Sequence, residues 1–164
     1  MSPDHEIFEL AVKVGETLRR QHRWLAVAES CTGGMLGAAI TDAPGSSSYF
    51  LGGVISYADR VKIEQLKVPA DTLLRYGAVS EQTARAMARG VRDLLRADIG
   101  ISITGVAGPA DEGAKPAGLT FIGVATTNDD QTVRHQWTGD RWENRRDSVN
   151  AALTLLAQTL EVMR

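Results

Sequence analysis

Residues 24–34 read WLAVAESCTGG, and this stretch decides the fold. Trp24 to Glu29 is an apolar run of strand length, and Cys31 to Ile40 reads as a helix of small residues, so Ser30 falls on the turn between them. A strand that hands over directly to a helix is the building unit of an α/β sheet. Toward the N-terminus, Ser2-Pro3 supplies a cap and a first-turn proline. Ile7, Ala11, Val14 and Leu18 then recur at i, i+4, i+7 and i+11, which predicts an amphipathic helix to about Arg20. Toward the C-terminus, Pro44 to Ser48 forms a loop, Tyr49 to Tyr57 (YFLGGVISY) a second strand, and Asp59 caps a short helix containing Lys62.

Ser80 caps a long helix with Ala84, Met87, Ala88, Val91, Leu94 and Leu95 on its apolar face. Arg85, Arg89, Arg92 and Arg96 stripe another face, which reads as solvated surface rather than a phosphate ridge. Ile99, Ile101 and Ile103 alternate with small residues in a third strand that ends in Thr104-Gly105-Val106-Ala107-Gly108-Pro109, and Asp111 to Pro116 is a loop. Leu119 to Thr127 and Gln131 to Thr138, joined by Asn128-Asp129-Asp130, form a hairpin and must be antiparallel. A final helix from about Arg141 turns Val149, Ala152, Leu153, Leu156, Leu160 and Met163 inward. The expected fold class is α/β: a three-layer α/β/α sandwich with a mixed sheet, one domain over residues 1–164.

Composition narrows the function. The 164 residues are 43% hydrophobic and 23% charged, the balance of one core rather than two. Eighteen basic against twenty acidic residues leave a net charge of −2, which disfavours nucleic-acid coating. The apolar stretches fall short of the roughly 18 residues a spanning helix needs, and Met1 to His5 is not a signal-peptide start, so a cytoplasmic protein without a membrane role is expected. The single Cys31 makes no internal disulfide, and His5, His22 and His135 supply no zinc ligand set, so no metal is expected.

Ligands of open α/β sheets bind beyond the carboxyl ends of the strands, here Ser30, Tyr57 and Thr104. Ser30-Cys31-Thr32-Gly33-Gly34 combines a candidate nucleophile with small residues whose backbone N–H groups could reach a carbonyl oxygen or a phosphate. The same hydroxyls could equally cap a helix, and spacing alone does not choose. With no histidine in a motif, the base for a serine would be a lysine, acting alone or through a tyrosine, and Tyr57 and Lys62 offer both. A helical lysine is nevertheless more often solvated than catalytic.

Ala28 to Gly34, Pro44 to Ser47, Tyr57 with Lys62, Gly77 to Ser80, Thr104 to Pro109, Lys115-Pro116, and Gly139-Asp140-Arg141 followed by Arg145 together resemble the CinA C-terminal domain family. That family's characterised activity is the PncC-type deamidation of nicotinamide mononucleotide (NMN). The resemblance implies a metal-independent, cofactor-free amidohydrolase that turns the nicotinamide carboxamide into a carboxylate plus ammonia. It implies Ser30 as nucleophile, Lys62 as general base and Tyr57 in the same hydrogen-bonded group. Thr32, Gly33 and Gly34 would line the oxyanion and substrate pocket, Thr104 and Gly105 would touch substrate, and Arg145 with Arg141 would hold the phosphate. At 100° per residue Arg145 lies within about 40° of the inward Val149, so it extends the inward face. The resemblance also suggests a homodimer, and a chain confined to the amidase domain. Asp59 stands where many relatives have Asn, and Ala110 to Ala114 (ADEGA) is more acidic than the usual linker. The alternative function is a non-catalytic nucleotide-binding regulatory module of the competence/damage-inducible type.

Overall fold

The computed structural model describes residues 4–163. Helix α1 (His5–Arg20) is capped by Asp4, whose carboxylate accepts the Ile7 N–H at 3.2 Å. The Ser2-Pro3 start read from the sequence lies outside the described residues.

Strand β1 (Leu25–Glu29) is buried along its whole length at the heart of the sheet. Strands β2 (Phe50–Ile55) and β3 (Ile99–Gly105) flank it, both parallel to it. Strand β4 (Leu119–Ala125) runs antiparallel to β3, and β5 (Asp130–Gln136) antiparallel to β4, giving the order β2-β1-β3-β4-β5. The sheet is therefore mixed, as the hairpin requires.

Side chains alternate faces along β1. Leu25 and Val27 enter the larger core with α1, α2 (Met35–Asp42) and α6 (Arg141–Val162), where Leu18, Ile40, Ile101, Ile122 and Leu156 are packed out of solvent. Ala26 and Ala28 face the other way, onto Leu66, Val68 and the Met87 and Val91 of α5 (Glu81–Leu95). Their small side chains let α5 sit close. Each fully buried Leu or Ile contributes roughly 1.5–3 kcal/mol, so layer packing rather than helix propensity holds the short, small-residue α2 in place. The result is the three-layer α/β/α sandwich.

Three local differences stand out. Helix α2 begins at Met35 rather than Cys31, because Gly33 and Gly34 adopt φ of 60° and 102° and the chain makes a turn there first. A helix absent from the sequence reading, α4 (Ala70–Tyr76), follows α3 (Asp59–Glu64). Leu94 is exposed in the last turn of α5, where the chain is already reversing toward β3. The arginine stripe is surface, as read from the sequence: Arg85 pairs with Glu81, Arg89 with Asp130 and Arg92 with Asp93, and Arg96 is exposed.

Gly90 links this packing to the site. A Cβ there would lie 1.9 Å from the Leu66 carbonyl oxygen, on the segment that anchors α3 to the second core. Gly90→Ala is expected to lose roughly 2 kcal/mol in urea denaturation, the clash outweighing the better helix propensity.

Candidate active site

Beyond the carboxyl ends of β1 and β3 lies a cavity of about 290 Å³. Ser30 sits at its floor, its N–H donating to the Ile103 carbonyl at 3.0 Å, so the residue after β1 is still pinned to β3. Lys62 reaches the same point from α3. Its side chain is 1% exposed, and Nζ lies 2.8 Å from the Ser56 carbonyl, 3.2 Å from the Tyr57 carbonyl and 3.2 Å from Ser30 Oγ. The chain brings it there because it leaves the sheet at Ser56, whose N–H donates to the Glu29 carbonyl, and because the Val68 N–H ties back to the Lys62 carbonyl.

Burial pushes the Lys62 pKa below the ordinary lysine value, against the nearby Asp59 carboxylate, which pulls it up from 3.6 Å. Asp59 is itself 59% exposed, so solvent weakens that pull. A neutral lysine has two N–H groups and one lone pair. With two N–H groups taken by the carbonyls, the charged amine donates its third to Ser30 Oγ, and on losing that proton it presents a lone pair to the Ser30 hydroxyl. Cys31 also borders the cavity, but burial pushes its thiol up to about 11, so it stays protonated at neutral pH and is a poor nucleophile.

Thr104 and Gly105 form the neighbouring wall. Thr104 Oγ1 donates to the Ala78 carbonyl at 2.8 Å and fastens the end of β3 to the loop before α5. A Cβ on Gly105 would stand 2.7 Å from both the Leu119 carbonyl and Thr120 Oγ1, so only glycine lets β4 close here. Arg141, at the start of α6, donates to the Gly108 carbonyl at 2.6 Å and to the Tyr57 hydroxyl at 3.3 Å. Tyr57 thus meets Lys62 through its backbone carbonyl, while its 60% exposed phenol stands at the mouth with Arg141.

Residues 7–160 match the family model described as the CinA C-terminal domain. The chain belongs to the CinA C-terminal domain family. It is 46% identical over 153 residues to a putative competence-damage inducible protein of Halothermothrix orenii, covering 91% of this chain and 37% of that protein. It is 48% identical over 158 residues to a CinA-like protein of Microcystis aeruginosa, covering 94% and 38%. The chain therefore spans a little over a third of the length of these curated relatives. A solved CinA superfamily structure from Klebsiella pneumoniae superposes with a TM-score of 0.92 at 34% identity, covering 94% of this chain and 98% of that one. The competence/damage inducible protein of Agrobacterium tumefaciens superposes at 0.93 and 33% identity, with 98% and 99% covered.

The remaining sequence-predicted residues of this CinA domain occupy other places. Thr32, Gly33, Gly34 and Arg145 are not on the cavity wall. The N-terminus of α2 is already taken by Glu29, a residue that sequence reasoning missed. Its carboxylate is 1% exposed and accepts the Thr32 hydroxyl at 2.6 Å and the N–H groups of Gly34, Leu36 and Gly37 at 3.1, 3.0 and 2.8 Å. The signal was available: odd residues of β1 face the α2 layer, and a carboxylate at the end of that row points at the incoming helix. Gly33 and Gly34 therefore do not offer their N–H groups to a ligand; Gly33 donates to the Ser30 carbonyl. Arg145 points inward as its helix phase predicted, but its partners are the Cys31 and Thr32 carbonyls, at 3.1 and 2.9 Å. Those carbonyl dipoles offset the cost of a cation near a helix N-terminus.

Proposed function

We propose that this chain is a nicotinamide-nucleotide amidohydrolase, converting NMN to nicotinate mononucleotide plus ammonia. The observation that carries the reading is the Lys62 to Ser30 contact: a buried amine with its pKa depressed, held by two backbone carbonyls, 3.2 Å from the serine hydroxyl. Ser30 Oγ attacks the carboxamide carbon, its proton passes to Lys62 Nζ, and the carbonyl electron pair moves onto oxygen. Collapse expels ammonia, which takes the proton from Lys62. Water then attacks the ester, gives its proton to Lys62, and Ser30 regains a proton as the carboxylate leaves. Thr104 and Gly105 form the wall beside the reacting carbon. Two N–H groups of Arg141 are engaged, and the other three of its five donors are available for the phosphate. The reading includes a cytoplasmic homodimer acting on a small molecule.

The test is ammonia release with NMN, nicotinamide riboside and NAD side by side. One ammonia per nicotinate mononucleotide formed, with NMN the best substrate, is the expected result. Calorimetric binding of NMN without turnover would replace the enzyme by a nucleotide-binding module.

A further inference from the structure

We infer that Asp59 and Glu112 are specificity-determining residues, which make the cavity select a carboxamide carried on a positively charged ring over the same carboxamide on a neutral one. This rests on the amidase reading and names the part of the substrate that the acidic wall recognises. Among the described residues, the charged side chains lining the cavity are Asp59, Lys62, Glu112 and Arg141. Arg141 is assigned to the phosphate, and Lys62 works as a neutral base. What remains of the charged wall is two carboxylates. They are also the acidic features that stood apart in the sequence, Asp59 and the ADEGA loop.

The two come from different elements. Asp59 opens α3, and its Oδ1 lies 3.6 Å from Lys62 Nζ, which in turn contacts Ser30 Oγ. Glu112 comes from the connection between β3 and β4. That loop closes on itself: the backbones of Glu112 and Lys115 exchange two hydrogen bonds of 2.9 Å, and the Asp111 carboxylate accepts the Ala117 N–H at 2.8 Å. The loop's own bonds thus use backbone groups and Asp111, while Glu112 lines the cavity. Two acids here work against the base, because each favours the charged form of Lys62. A cationic ligand removes that conflict. The ring nitrogen of a nicotinamide nucleotide is quaternised by the ribose and carries a permanent positive charge a few bonds from the carboxamide carbon. With that carbon at Ser30 Oγ, the ring brings its charge to the cavity that the carboxylates line; their attraction holds it, and its own field favours the neutral amine of Lys62. Both acids are largely exposed, so solvent keeps each contribution modest. A nucleotide with a neutral ring gains neither effect.

NMN and its reduced 1,4-dihydro form share phosphate, ribose and carboxamide and differ in ring charge. Calorimetry at about pH 8 in the Ser30→Ala background, where turnover does not interfere, should show Glu112→Gln weakening NMN about fivefold and leaving the reduced form within about twofold. Adding Asp59→Asn should bring the loss for NMN to roughly 20-fold. In the chain that keeps Ser30, Glu112→Gln should raise KM for NMN without lowering kcat, since the ring is held less well while the base is eased. Equal losses for the two ligands, no loss for NMN, or a fall in kcat with KM unmoved would overturn the inference. If the double variant does not fold, Glu112→Gln decides alone, its exposed loop position leaving the core untouched. A parent chain that releases no ammonia from NMN counts against the amidase reading, and calorimetry with the two ligands still decides the charge claim. Ammonia release from NMN together with equal effects on both ring forms overturns the inference and leaves the amidase reading standing.

Discussion

Ser30→Ala is expected to release ammonia from NMN at least roughly 10⁴-fold more slowly than the parent chain while binding NMN within a few-fold of its affinity. The substitution takes away one oxygen atom at a buried position, and among the described residues the one hydrogen bond it removes is that to Lys62 Nζ. The backbone of residue 30 stays pinned to Ile103. The fold is thus preserved and the loss falls on kcat. A coupled ammonia assay with calorimetry on the same preparation checks both halves. Turnover kept near the parental rate would remove Ser30 as nucleophile, and the protonated Cys31 thiol would be no ready substitute.

Lys62→Met should cost roughly 10²–10⁴-fold in kcat, the contribution expected of a positioned general base. Its pH signature is the more telling measurement. With the base neutral in its working form, kcat/KM of the parent should climb with pH through a midpoint below the ordinary lysine value of 10.5, because burial favours the uncharged amine. Asp59 and Glu112 both favour the charged form. Asp59→Asn should therefore slide the midpoint to lower pH, and Lys62→Met should abolish the limb. Stability follows the same sign. The folded chain holds fewer protons at Lys62 than the unfolded chain between the depressed value and 10.5, so that contribution to stability grows with pH across this interval and is lost as pH falls through the depressed value. A rate profile with no limb below 10.5 would rule Lys62 out as the base.

Much of the sheet could be read from local pattern. WLAVAE, the alternating isoleucines of β3 and the hairpin each carry their own periodicity, and the antiparallel hairpin alone made the sheet mixed. Helix α4 escaped because none of its residues is buried, so its sequence bears no apolar stripe to detect. At the site, Ser30, Thr104 and Tyr57 were marked by their positions after strands. The burial of Lys62 was not readable locally, since it depends on carbonyls of a neighbouring loop and on a serine 32 residues earlier in the chain. Arg145 shows the limit in another form. Helix phase gives the direction of a side chain, and only the tertiary fold shows that two backbone carbonyls stand there.

The buried carboxylate of Glu29 also insulates the site from its surroundings. A bare helix end attracts whatever anion is abundant, and inorganic phosphate or sulfate would then linger near the nucleophile. Here that attraction is cancelled from within, by a residue one position before the serine. On the proposed amidase reading, selection among anions is left to side chains at the cavity mouth, where a substrate must be the right length to reach Arg141 and Ser30, which line the same cavity.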